Sequence, residues 1–208
     1  MSAALLDQSK RYLLSFTAAG LMLADSVRIA ELFLGCRDWE AVKSTADGEK
    51  RLQSRTKSRD IRVTREIIFR LSDLSDNQLA LLVEGDLEEQ RLVLWFAICR
   101  YYQFLQDFAI EVLQDRFLAM QRSISEDDYN AFFLRKLDWH PELEEIKEST
   151  RIKLCTVTFR MLREAGLVND HHVLIRVLPS ARLVRVLQPD LSLARQIYPA
   201  YPADFEVL

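Results

Sequence analysis

Lys153, Thr156, Arg160 and Arg163 recur at intervals of three and four residues, the spacing that gathers side chains on one face of an α-helix. Lysine and arginine on such a face meet phosphate oxygens, and arginine can also reach guanine edges in a major groove. Glu164 is the only acid among them. Long basic side chains also cover the solvated faces of ordinary helices, so the face alone does not decide. Its combination with residues 166–177 favours a polyanion. Gly166 can stop the helix, and Val173 to Val177 reads as a short strand after the Asn169-Asp170 turn. His172 and Arg176 lie on that predicted hairpin and would extend the basic surface.

A second basic run, residues 50–70, carries eight basic and two acidic side chains. Within it Arg51, Arg55, Lys57, Arg59, Arg62 and Arg65 could track a phosphate backbone by charge alone, giving salt-sensitive, sequence-tolerant binding. On a helical projection Arg59, Arg62, Arg65 and Arg70 share a broad face opposite most of the isoleucines. The competing reading pairs that face with residues 71–90, which hold six acids and no base. Charge keeps alternating: residues 124–148 hold eight acids and three bases, and residues 151–195 eight bases and three acids. A net charge of −3 and a pI near 5.7 therefore conceal segregated patches. Those patches suit separate surfaces, or surfaces that face each other.

No arrangement of residues points to catalysis. His171 and His172 flank the turn, but a metal site needs three or four ligands, and the remaining histidine is His140 with no cysteine nearby. Asp138, Trp139 and His140 precede Pro141, which makes a loop or capping role the simpler account. A Gly-rich phosphate loop, a nucleophile elbow, an HExxH pair and an EF-hand pattern are all missing. The sequence thus predicts no catalytic residue, no metal site and no cofactor. Cys36, Cys99 and Cys155 have no CxxC spacing and read as thiols of a reducing compartment. The N-terminus lacks a signal-peptide pattern, and the longest apolar run, Leu92 to Cys99, falls far short of the roughly twenty residues a membrane span needs. The expectation is a cytoplasmic protein without membrane contact.

The elements that must position these faces are mainly helical. All five prolines lie at or after Pro141, and only five glycines punctuate the chain. Residues 11–23 read as irregular, followed by helices near Asp25 to Gly35, Trp39 to Thr45 and Lys57 to Leu71. Leu87 to Met120, rich in aromatics, reads as two helices or one bent one and as the central core. Further helices are expected at about 126–137, 141–147 and 150–165, the last burying Ile152, Cys155, Phe159 and Leu162. A hairpin, a helix at Ala181 to Leu187 and an irregular tail from Ala194 complete the chain. The predicted fold is mainly α: a multi-helix N-terminal domain, residues 1–122, and a winged-helix-like C-terminal domain, residues 123–208, with one short β-hairpin.

Three segments carry a family resemblance. Leu14-Ser15-Phe16-Thr17-Ala18-Ala19-Gly20-Leu21 is followed by Ser26 to Leu34 and Trp39. Leu52-Gln53-Ser54-Arg55-Thr56 leads to Ile68-Phe69-Arg70-Leu71, and Thr150-Arg151-Ile152-Lys153 to Leu162-Arg163-Glu164-Ala165-Gly166-Leu167. In order and spacing they resemble the BrxA family of BREX bacteriophage-exclusion systems, over about residues 12–190. The resemblance implies a mostly helical protein without enzymatic activity, working beside a methyltransferase, an ATPase and other BREX proteins. It also implies likeness to NusB-type RNA-binding helical proteins, and DNA binding is attributed to the family. Some members carry an inner-membrane label, from which this sequence departs. Double-stranded DNA is the expected partner, with RNA binding and a protein-interaction scaffold as the rival readings.

Overall fold

Caps at helix starts and apolar faces that need burial account for most of the architecture. The computed structural model describes residues 11–18, 20–45 and 57–206. After a 3₁₀ turn at Ser15–Ala18 come α1 (Leu23–Cys36), α2 (39–45), α3 (Lys57–Leu71), α4 (Asp76–Glu84) and α5 (Leu87–Tyr101). Next, α6 (Gln103–Phe108) continues through a π-helical turn, Ala109–Gln114, into α7 (Asp115–Leu118). The chain ends with α8 (Glu126–Leu137), α9 (Glu148–Glu164), α10 (Ala181–Leu187) and α11 (Leu191–Ile197). Ser75, Asp86 and Ser125 each close a capping box with Gln78, Glu89 and Asp128, and each such cap stabilises by about 1 kcal/mol.

The core is built on α5 and α6. Leu92 to Cys99 is buried on every side, which explains an unbroken apolar run in place of an amphipathic pattern. Trp95, Phe96, Tyr102, Phe104 and Phe108 are fully buried, and Phe104 meets Phe132 edge to face at 5.2 Å. The tail is not the irregular wrap expected of it. α11 forms, and the indole N–H of Trp95 donates to the Ile197 carbonyl at 3.0 Å while the Tyr198 hydroxyl donates to that of Leu92 at 2.7 Å. α4 was hidden by the acids around it, although Leu79, Leu81 and Leu82 are buried. Residues 141–147 form only a 3₁₀ turn, Pro141–Leu143.

The winged-helix-like unit and its β-hairpin do not form. Among the described residues there is no β-strand, only isolated bridges pairing Ser123 with Val173 and Val168 with Leu174. The physical reason lies in how residues 173–177 spend their backbone donors. Leu174 N–H goes to Arg122, Ile175 N–H to Leu167 and Val177 N–H to Pro199, so no ladder develops with any single partner. His172, placed on the expected wing, sits in the left-handed region with φ 56°.

Residues 12–21 tie distant helices together. The Tyr12 N–H donates to Glu142 at 2.6 Å, and its hydroxyl donates to Asp107 at 2.6 Å. Burial, then the Asp107 carboxylate, pushes the Tyr12 phenol well above its ordinary range, so it stays a donor. Its ring stacks on buried His140 at 3.6 Å. Lys136 Nζ bonds Asp107 at 3.0 Å and Glu111 at 2.5 Å.

Glu142 makes this strap sensitive to acid. Burial pushes its carboxyl up, but hydrogen bonds from the Tyr12 N–H, its own N–H and His140 outweigh that and hold it below 4.5. Its contribution to stability is therefore complete above the ordinary carboxylate range and is lost as pH falls through the depressed folded value. Hydrogen exchange at the Tyr12 amide should accelerate relative to its intrinsic rate in that acid window. Glu142→Gln should abolish that pH dependence, and an unchanged profile in the variant would assign the loosening to another group.

Candidate nucleic-acid interface

Both basic helices pack against the turn Ser15–Ala18. On α3 the buried face comprises Val63, Thr64, Glu66, Ile67, Ile68, Arg70 and Leu71. Arg62, Arg65 and Phe69 are left as an exposed stripe at i, i+3 and i+7. Arg62 and Arg65 have no ion-pair partner among the described residues. Phe69 is 52% exposed and stacks in parallel on Tyr101 at 6.1 Å. Arg51 and Arg55 lie outside the described residues, and of Lys57 and Arg59 only the backbone, in the first turn of α3, is described.

Arg70 does not belong to the exposed face on which the helical projection puts it. It is buried, pairs with Glu66 at 3.2 Å and donates to the Gly20 carbonyl at 2.8 Å. Burial draws its pKa down against the opposing pull of Glu66. The arginine is thus a structural clamp on the segment that separates the two basic helices.

On α9 the buried side is Leu154, Cys155, Val157, Thr158, Phe159, Met161 and Leu162. Ile152, expected in the core, is instead 60% exposed. Lys153, Thr156 and Arg160 are exposed, and Lys153 has no ion-pair partner among the described residues. The Thr156 hydroxyl donates to the Ile152 carbonyl at 2.9 Å. Arg160 lies 3.8 Å from Glu164, whose carboxylate also accepts the Leu21 N–H at 2.6 Å. A Cβ on Gly20 would come within 2.5 Å of that carboxylate, so glycine permits the close approach.

The remaining candidates are engaged within the chain. Arg163 is half-buried and bonds His172 Nε2 at 3.0 Å, while the imidazole lies 4.4 Å from the Phe159 ring. Arg176 is fastened to Asp204 at 2.5 Å and lies over the Tyr201 ring. The hydrogen bond to Arg176 holds Asp204 below its ordinary carboxylate range. Lys153, Thr156 and Arg160 therefore share an exposed face, whereas His172 and Arg176 do not join it through a wing. Sequence reasoning missed Glu164 and Gly20 as the junction. The one available signal was Glu164 itself, the lone acid on a basic face.

The sequence model of the BrxA family matches residues 10–190. The chain belongs to the BrxA family. The BREX protein BrxA of Bacillus cereus (strain H3081.97) is 26% identical over 136 residues, 65% of this chain and 68% of that protein. A crystal structure of an uncharacterized protein from Magnetospirillum magneticum has a TM-score of 0.78 at 21% identity, covering 91% of this chain and 100% of that one, a likeness of fold. By the family match the chain is assigned to the BrxA/BREX family. Among the described residues no group of three or more His, Cys, Asp or Glu could hold a metal ion, and no helix is long and apolar enough to cross a membrane.

Proposed function

We propose that this BrxA-family chain binds double-stranded DNA within a BREX phage-defence system, gripping phosphates from α3 and α9. One observation carries the reading. Arg62, Arg65 and Lys153 are exposed and unpaired among the described residues, on two helices that pack against a common turn. Only cations not already neutralised by the protein's own carboxylates can release counterions from DNA. Of the six acids in residues 71–90, Asp76 pairs with Arg37 and Glu89 with Arg182, and none pairs with Arg62 or Arg65. Arg51, Arg55, Lys57 and Arg59 belong to the same basic run of the sequence as Arg62 and Arg65, and Arg160 stands on the exposed face of α9 with Lys153, able to turn from Glu164 to a phosphate. Buried, unpaired thiols at Cys99 and Cys155 support a reducing, cytoplasmic setting beside the system's methyltransferase and ATPase.

A scaffold role is the second reading, because Phe69 and Ile152 are exposed beside these same cations. Fluorescence anisotropy with duplex DNA, single-stranded DNA and structured RNA, each across a salt series, separates the two. Duplex DNA should be retained at low salt, with the logarithm of affinity falling linearly against that of salt. The slope should be about −3 to −5, corresponding to a handful of phosphate contacts. Absence of retention for all three at low salt would leave the scaffold, and preference for RNA would move the reading there.

A further inference from the structure

A second feature lies away from both basic helices. α11 runs beside the π-helical turn Ala109–Gln114 and leaves a groove of about 570 Å³, within the range of small-ligand pockets. Ile110 and Leu118 line it from one side and Leu191 from the other. π-helical turns are rare and recur at functional sites, and here the turn supplies both Ile110 and Gln114 to the groove.

Gln114 is fully committed. Its amide nitrogen donates to the carbonyls of Arg195 at 3.2 Å and Ala200 at 2.8 Å, and its oxygen accepts the Ala200 N–H at 3.4 Å. The backbone of Arg195 is thereby fixed while its guanidinium stays unspent. Arg195 lines the groove without an ion-pair partner among the described residues; its Nε–H is buried and closed off from the groove, whereas its two terminal nitrogens are not enclosed and make no hydrogen bond among the described residues. A guanidinium whose terminal edge has no acceptor within the chain is open to an anion.

The chemistry of that acceptor is constrained. A carboxylate matches the guanidinium edge with two parallel hydrogen bonds. Asp115 also lines the groove and disfavours a doubly charged phosphate more than a monoanion. With seven residues, α11 is only about 10 Å long, too short to support the roughly 800 Å² per side of a standard protein interface. We propose that this groove binds a small apolar monocarboxylate, its carboxylate held by Arg195 and its stem lying on Ile110, Leu118 and Leu191. The site is independent of the DNA-binding reading.

Amide NMR titrations of the full chain with hexanoate, uncharged hexanamide and inorganic phosphate test it. Hexanoate should shift the amides of residues 110–118 and 191–196 saturably. Hexanamide should bind at least about tenfold more weakly, for want of the charge-assisted pair, and phosphate should leave these amides unmoved. Arg195→Gln should weaken hexanoate by about tenfold with an unchanged circular dichroism spectrum. Ser192→Phe, at an exposed lining position, should block the groove and remove binding even if Arg195→Gln does not fold. Equal binding of hexanoate and hexanamide, preference for phosphate, shifts elsewhere, or no saturation would each overturn the proposal. So would unweakened binding in a folded Arg195→Gln variant or in Ser192→Phe.

Discussion

Asp107→Leu is expected to destabilise the protein by about 3–5 kcal/mol in urea unfolding at neutral pH. Asp107 is 4% exposed and accepts from three donors: the Tyr12 hydroxyl, Lys136 Nζ and Gln103 Nε2. Removing it leaves the Lys136 ammonium buried with only Glu111, itself partly exposed, as counter-charge. An uncompensated buried cation is the expensive outcome, not the lost pair as such. Pairing Asp107→Leu with Lys136→Met should therefore recover about half of the loss or more. Glu111 can turn to water, and the apolar replacements fill the same space. Strictly additive costs in the double variant would show that packing at the two sites, not their charge coupling, sets the energy.

The parts of the fold visible in the sequence are those decided within a few residues. α3, α8 and α10 emerge at the expected positions because their apolar spacing, with Ser125 and Ser180 as local caps on the latter two, is read over short range. α4 carried the same kind of signal in Ser75 and Gln78, but the surrounding acids obscured it. Residues 173–177 show the opposite case. A β-branched run favours an extended chain, yet whether it becomes a strand depends on which distant backbone accepts its donors. Here three separate segments do so, and no ladder results. α11 failed for a related reason. Pro199 and Pro202 read as breakers of the tail from Ala194, whereas they follow the helix without entering it.

The candidate site follows the same division. Periodicity located Lys153, Thr156 and Arg160 on one exposed face of α9, and Arg62 and Arg65 on one exposed face of α3. It could not show that Arg70, on the same projection, turns inward to Gly20, fifty residues away. Nor could it show that Arg176 meets Asp204 across twenty-eight residues. Of the α9 residues expected in the core only Ile152 faces solvent: it lies ahead of Leu154, the first buried residue of the helix, whereas Cys155, Phe159 and Leu162 are buried as their spacing requires. The Arg195 groove left no sequence signal, because a π-helical turn and an unspent guanidinium are visible only in three dimensions.

Reversing both Arg62 and Lys153 to glutamate is expected to weaken duplex DNA binding by about 100-fold at low salt and to shrink the salt slope by about two. That size of effect assumes about one phosphate contact per cation and near-additive losses, since the residues lie on different helices and share no partner. Lys153 is a cleaner target than Arg160. Changing Arg160 would also disturb Glu164 and, through it, the Leu21 N–H that anchors the N-terminal segment. Arg176→Gln supplies the control. It removes the same unit of charge as Arg62→Gln, but from a side chain already neutralised by Asp204. If DNA responds to particular unspent cations, Arg62→Gln should lower the salt slope by about one, whereas Arg176→Gln should leave it unchanged. Equal losses for the two neutralisations would instead mean that only the protein's overall charge matters, and the assignment of α3 and α9 as the gripping surfaces would fail.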